Sequence, residues 1–325
     1  MRSKTIAMLL GACVLAWIGS GTPASAQTYP DRPVKLVVPF PAGGAADFHA
    51  RLIAQKLSES TQQSFIVDNR SGAGGTIAAD YVAKSAADGY TLLFGVGSLA
   101  VAPSIYEKLP YDIVNDFAPV SLVVITQNVL VVPGNSKYQD VRALLAAAKA
   151  QPGKLNYASS GVGATPHLSM ALLVGLGGVD IVHVPYKGDT PALTDLLAGR
   201  VDMYFSTIAG SIEHIRAGRL RALGVSSRIR AAALPELPTL DEAGVPGYEL
   251  VSWFGIMAPA RTPVARVNLL SERIAKAVAL PDVQEKFIAA GSEPTSNTPE
   301  AFHALIRESV DRFARIVSAA GIKAK

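Results

Sequence analysis

The chain has 325 residues, 49% hydrophobic and 17% charged, which is enough apolar material for two domain cores and argues against disorder. Its 30 basic and 26 acidic side chains leave a formal charge of only +4, which excludes a broad basic face for nucleic acid. One cysteine, Cys13, excludes a disulfide framework and a thiolate metal site.

The chain opens on a secretory signal pattern. A basic start (Arg2, Lys4) precedes a mostly apolar run over residues 5–18, and Ala24-Ser25-Ala26 before Gln27 is a small-x-small cleavage site. Cleavage is expected after Ala26, leaving residues 27–325 with a charge of +2 and no cysteine. The apolar run falls short of the roughly 20 residues of a membrane span. Leu10-Gly11-Ala12-Cys13 is an alternative, lipoprotein-type site, but the apolar run continues past it through Trp17 and Ile18.

Beyond the leader one unit recurs: a β-branched run, a Gly- or Ser-rich turn, then an alanine-rich helical stretch. Residues 34–39 lead through Pro41-Ala42-Gly43-Gly44 into a helix over 45–57. Residues 65–67 lead through Ser71-Gly72-Ala73-Gly74-Gly75 into 76–85, and 91–94 lead into Gly95-Val96-Gly97-Ser98. Residues 155–158 lead through Ser159-Ser160-Gly161-Val162-Gly163 into a helix from Pro166, and 181–184 through Tyr186-Lys187-Gly188 into 191–198. This alternation predicts an α/β protein with parallel sheets covered on both faces, and a ligand at the carboxyl ends of the strands.

Thr165-Pro166, Thr262-Pro263 and Thr298-Pro299 each read as an N-cap hydroxyl before a first-turn proline. Helices are expected over 264–278 and, from the spacing of Phe302, Ile306, Val310, Phe313 and Val317, over the C-terminal stretch. Residues 120–132 read as two short buried strands split by Thr126-Gln127-Asn128, and 248–259 as a further strand. These two places suit crossings between lobes. The expected layout is lobe 1 from 27–125 plus 252–325 and lobe 2 from 126–251, with a hinged cleft between them.

Catalytic patterns are scarce. The five histidines, at 49, 167, 183, 214 and 303, show no metal-ligand spacing, and neither a Gly-x-Ser-x-Gly elbow nor a phosphate loop occurs. Gly72-Ala-Gly-Gly75 is only a faint likeness of a dinucleotide turn. The turns offer main chain instead: glycines let a ligand approach N–H groups, and a helix N-terminus carries about half a positive charge. Four charge-assisted hydrogen bonds contribute roughly 6–12 kcal/mol before the association cost, against about 8 for micromolar affinity, so a second point of grip is needed. Simpler readings stand beside these: a tight turn for any one glycine cluster, packing for His167, solvation for Lys187, a dipole complement for Asp47, and core or hinge packing for Trp253 and Phe254. A hydrolase would have to use Ser160 or Ser98 with His167, without an acid at recognisable spacing.

The stretch Tyr29-Pro-Asp-Arg-Pro-Val-Lys-Leu-Val-Val-Pro-Phe-Pro-Ala-Gly-Gly-Ala-Ala-Asp47 resembles the opening of mature receptors of tripartite tricarboxylate transporters, the Bug receptors. Asn69-Arg-Ser-Gly-Ala-Gly-Gly75, Asp88-Gly-Tyr-Thr-Leu92, Tyr157-Ala-Ser-Ser-Gly161, Thr165-Pro-His-Leu168, Val184-Pro-Tyr-Lys-Gly188, the stretch 192–202, Leu220-Arg-Ala-Leu223 and Trp253-Phe-Gly255 follow in the family's order. The resemblance covers the mature chain. It implies a type II periplasmic binding protein fold, two lobes with mixed, mostly parallel sheets and a ligand cleft between them. It further implies a monomeric, non-catalytic periplasmic receptor without a cofactor, which captures a small carboxylate and delivers it to a membrane permease. A sensor subunit presenting its ligand to a signalling system is the alternative.

Carried onto this chain, the family's ligand positions are Phe40, Ala42, Gly43, Gly44 and Asp47; Ser71 and Ala73; Ser98; then Ser160, Gly161, Thr165, His167, Tyr186 and Lys187, with Ser206 as a further candidate. Ala171 stands where many members have a glutamate, and Phe205-Ser206 replaces a frequent Phe-Asp. The missing acid at 206 favours ligands without an amino group.

Overall fold

The computed structural model describes residues 29–186 and 188–322; the expected leader with Cys13, and Lys187, lie outside the described residues. Val34–Val38 (β1) is flanked by two parallel partners, Phe65–Asn69 (β2) and Thr91–Val96 (β3), as short β-branched runs separated by helices must be. Those helices are Ala45–Thr61 (α1) and Thr76–Ala83 (α2), the latter preceded by a 3-10 turn at Ala73–Gly75. Ser98–Ile105 (α3) follows β3 directly.

Phe117–Pro133 (β4) corrects the expectation of two short strands: it is one strand of 17 residues. Its first part pairs antiparallel with Val251–Pro259 (β9) as far as Gln127, and from Asn128 it pairs with Met203–Thr207 (β7) and Leu220–Val225 (β8). The polar triplet that splits the apolar run is the point where the strand changes partners. Asn128 N–H donates to the Ser226 hydroxyl at 2.9 Å, Ser226 N–H donates back to the Asn128 carbonyl at 2.8 Å, and the Ser227 hydroxyl donates to Gln127 Oε1. All four side chains are buried and partnered, so polarity within an apolar strand carries no desolvation penalty there.

Beyond the crossing, Asn156–Ser159 (β5) pairs parallel with β7 and with Val182–Pro185 (β6). Helices Val141–Ala150 (α4), Thr165–Gly177 (α5), Asp189–Leu197 (α6) and Ile208–Arg216 (α7) belong to this half. After β9 come Val264–Val278 (α8), Pro281–Ala289 (α9), Ser292–Pro294 (β10, paired with β4) and Pro299–Ala319 (α10). The sheet is therefore parallel on its flanks and antiparallel along the crossing strands β4 and β9, a larger antiparallel share than the strand–helix alternation implied.

Apolar packing docks helices on both halves of the sheet. Trp253 stacks edge-to-face on Phe302 at 5.2 Å and donates its indole N–H to Ser309 on α10 at 3.1 Å, which docks the C-terminal helix on β9. In the other half Val129, Val131, Tyr204 and Val225 pack with Ala192 and Leu196 of α6. Of the three expected threonine caps, one forms. Thr298 caps α10 by accepting from Ala301 N–H at 3.2 Å, but α5 is preceded by Ala164 and α8 by Pro263, neither with a side-chain cap, and the Thr262 hydroxyl is buried without a partner. Among the described residues no helix is long and apolar enough to cross a membrane, and no group of three or more His, Cys, Asp or Glu could hold a metal ion.

Candidate functional site

The strand-to-helix turns of both halves open into one cavity of about 710 Å3, within the usual range for a small-molecule site. From the first half it is lined by Phe40, Ala42, Gly44 and Ala45 at the start of α1, by Gly74, and by Ser98, Ile105 and Tyr106 on and after α3. From the other half come the 160–166 turn at the start of α5, Gly188 and Asp189 at the start of α6, and Thr207 at the start of α7; Thr126, Asn128, Ser252 and Phe254 form the floor on the crossing strands. The first intrahelical bonds are Phe48 N–H to the Gly44 carbonyl, Ala100 N–H to Gly97 and Leu168 N–H to Ala164. The amides ahead of them lack an acceptor within their helices, and each N-terminus carries about half a positive charge. The Ser98 hydroxyl is buried and unpartnered. No described residue lining the cavity is a lysine, arginine or histidine. The arrangement suits an anion held by oriented main chain.

Buried side chains hold both turns from behind. Gly43, at φ 87°, donates its N–H to Asp47 Oδ2 at 2.9 Å; the same oxygen accepts from Arg51 Nε at 2.8 Å, and Oδ1 accepts from Asn69 Nδ2 at 2.9 Å. Asn69 also donates to the Phe40 carbonyl at 3.0 Å, so one side chain ties β2 to the turn after β1. The Arg51 guanidinium, followed by the Gly43 and Asn69 donors, outweighs burial and holds the Asp47 carboxyl down at about 2.

On the opposite side Gly163, at φ 77°, donates its N–H to His167 Nδ1 at 3.0 Å. His167 lies flat on His183 at 4.0 Å between ring centres, and His183 lies on Tyr157 at 4.8 Å. Burial, then the neighbouring His183, lowers the His167 pKa to about 4, so the ring is neutral and can accept. Main chain joins this turn to the next: Tyr186 N–H donates to the Ser159 carbonyl at 2.9 Å and Gly188 N–H to the Ser160 carbonyl at 3.2 Å.

Of the candidate residues from the sequence, Phe40, Ala42, Gly44, Ser98, Ser160, Gly161 and Thr165 line the cavity. Gly43, Asp47 and His167 are not in its lining and support it through the bonds just described. Ser71 and Ala73 precede the lining residue Gly74 in the same turn without lining the cavity themselves. The Tyr186 hydroxyl is turned to Asp195, 2.8 Å away. Ser206 is 3% exposed and donates to the Thr207 carbonyl, so the inference from a missing acid at 206 loses its footing. Lys187 lies outside the described residues. Phe254, expected in core or hinge packing, lines the cavity, and Asp189, Tyr106, Thr126, Asn128 and Ser252 were not anticipated. A rank of polar residues within strand runs was the available signal for Thr126 and Asn128. For a hydrolase the geometry is wrong: His167 is engaged with Gly163, and the serine that meets a histidine is Ser159, fully buried, at 2.6 Å from His183 Nε2. No described carboxylate bonds that ring.

The fold is α/β, its mixed sheet crossed twice by the chain, with a cavity rimmed by helix N-termini. The sequence profile of the tripartite tricarboxylate transporter family receptor matches residues 49–322, and the chain belongs to that family, whose members are receptors and not enzymes. Among its relatives, protein BugT of Bordetella pertussis is 40% identical over 313 residues, covering 96% of each chain. The solved structure of R. palustris Rpa4515 with adipate is 39% identical with a TM-score of 0.80, covering 91% of this chain and all of its own. That of MatC from Rhodopseudomonas palustris with bound malate is 32% identical with a TM-score of 0.75, covering 89% and 100%.

Proposed function

We propose that this chain is a periplasmic receptor that captures a small organic carboxylate in the cavity and delivers it to the membrane permease of a tripartite tricarboxylate transporter. The observation that carries this reading is the convergence of helix N-termini from both halves on a cavity without a described cationic side chain. Residues 27–125 plus 252–325 and residues 126–251 act as the two lobes, closing about the partner change in β4, so that ligand is gripped from both sides. The acids bound by Rpa4515 and MatC, adipate and malate, support a carboxylate as the ligand class.

Isothermal titration of the purified chain against a carboxylate panel that includes adipate and malate tests capture. The expected result is at least one micromolar or tighter binder recovered unchanged after incubation. Absence of binding across the panel, or turnover of the ligand, contradicts it. Uptake of that acid should fall in a strain lacking the receptor and return with the gene; unchanged uptake contradicts delivery.

A further inference from the structure

Asp189, the first residue of α6, is the only formally charged residue among the described ones lining the cavity. The Tyr204 hydroxyl donates to its Oδ1, and Tyr204 itself is 1% exposed, at the root of β7. Burial, then the Asp189 charge, raises the Tyr204 pKa, so the phenol keeps its proton and is a fixed donor. A buried hydroxyl thus stands behind the wall and hands its hydrogen to the Asp189 carboxylate. A carboxylate has about four lone-pair sites, and Tyr204 occupies one; no other described residue donates to Asp189. The wall at α6 therefore adds a carboxylate acceptor beside its own helix-start amides, whereas the starts of α1, α3 and α5 bring no acid into the lining.

We infer that Asp189 makes the cavity select acids that also carry a hydrogen-bond donor, a hydroxyl or an ammonium, over the same acids without one. This rests on the receptor reading above. Asp189 is exposed in this structure, so a bound acid whose apolar or second anionic end covers it strips its water without a partner or is repelled, whereas one with a donor replaces that water, which corresponds to about tenfold in affinity.

The experiment is isothermal titration with matched pairs, malate against succinate, 3-hydroxybutyrate against butyrate and glutamate against glutarate, on the wild type, Asp189→Asn and Tyr204→Phe. The donor-bearing member of at least one pair should bind about tenfold tighter or more to the wild type. In Asp189→Asn, Tyr204 holds the amide oxygen and turns the NH2 group toward the ligand, so the preference within that pair should shrink or reverse. Tyr204→Phe leaves the charge but frees its orientation and should narrow the ratio, giving a second test should Asp189→Asn fold poorly. Equal or tighter binding of the plain acids by the wild type, or a ratio unmoved in both variants, overturns the inference while the receptor reading stands. If no acid of either kind binds the wild type, the receptor reading fails and the inference falls with it.

Discussion

The turn after β1 holds its glycine N–H through a carboxylate, Gly43 to Asp47 at 2.9 Å, whereas the turn after β5 holds its own through a neutral imidazole, Gly163 to His167 at 3.0 Å. The spacing is the same, a positive-φ glycine four residues ahead of a buried acceptor on the first turn of a helix. The chemistry differs in what it resists. A carboxyl held at about 2 stays an acceptor at almost any pH, and its three donors knit β2, α1 and the turn into one piece. An imidazole accepts only while unprotonated, and its support is stacking on His183. One wall of the cavity is thus fixed by an ion-paired network and the other by a group that acid can switch off.

The largest effect should come from Asp47→Ala. It strands Gly43, Asn69 and Arg51 without their acceptor and should cost about 3 kcal/mol of stability and at least a hundredfold in ligand affinity, read by thermal melts and titration calorimetry. Asp47→Asn, which keeps two of the contacts, should fall between.

Acidification should separate the two walls next. His167 resists protonation down to about 4 when folded but titrates near 6.5 when unfolded, so the unfolded chain binds the extra proton first and stability falls as pH drops from about 6.5 toward 4. Between pH 7 and 4.5 this group alone accounts for roughly 2–3 kcal/mol. The variant His167→Gln, compared with wild type by denaturant melts at both pH values, should lose that share of the difference. His49, held at about 4 by burial between Phe254 and Phe287, should keep its own share in both proteins. An unchanged pH dependence in His167→Gln would break the comparison.

The smallest effects distinguish the glycines. A Cβ on Gly163 would lie 2.3 Å from Ile105 Cδ1 across the cavity, whereas one on Gly43 meets nothing within 4 Å. Both substitutions strain a positive φ, so Gly43→Ala should cost about 1 kcal/mol and Gly163→Ala about 2, with the larger loss of affinity in the second. Equal losses would show that backbone strain alone decides.

Much of this site was legible from local pattern. The glycine turns after strands, and helix α8 over 264–278, follow from periodicity and from which residues tolerate positive φ. The long-range pairings were not. Gln127 and Asn128 look like a break in an apolar run because their partners, Ser226 and Ser227, lie about a hundred residues away, and no local rule links them. Asp189 reads as an ordinary acid at a helix start; only the fold brings Tyr204 beneath it and the cavity before it. Thr262 has the cap signature, yet its hydroxyl is buried without a partner, since packing placed the helix start one residue later.

The central claim is that main-chain amides at helix N-termini, and not a cationic side chain, hold the ligand's carboxylate. A crystal structure of the chain with the tightest-binding acid tests it most directly. The expected result is a carboxylate within hydrogen-bond distance of amides in the first turns of α1, α3 or α5, with any ligand donor facing Asp189. A carboxylate paired instead with Lys187 or another lysine or arginine side chain would contradict it.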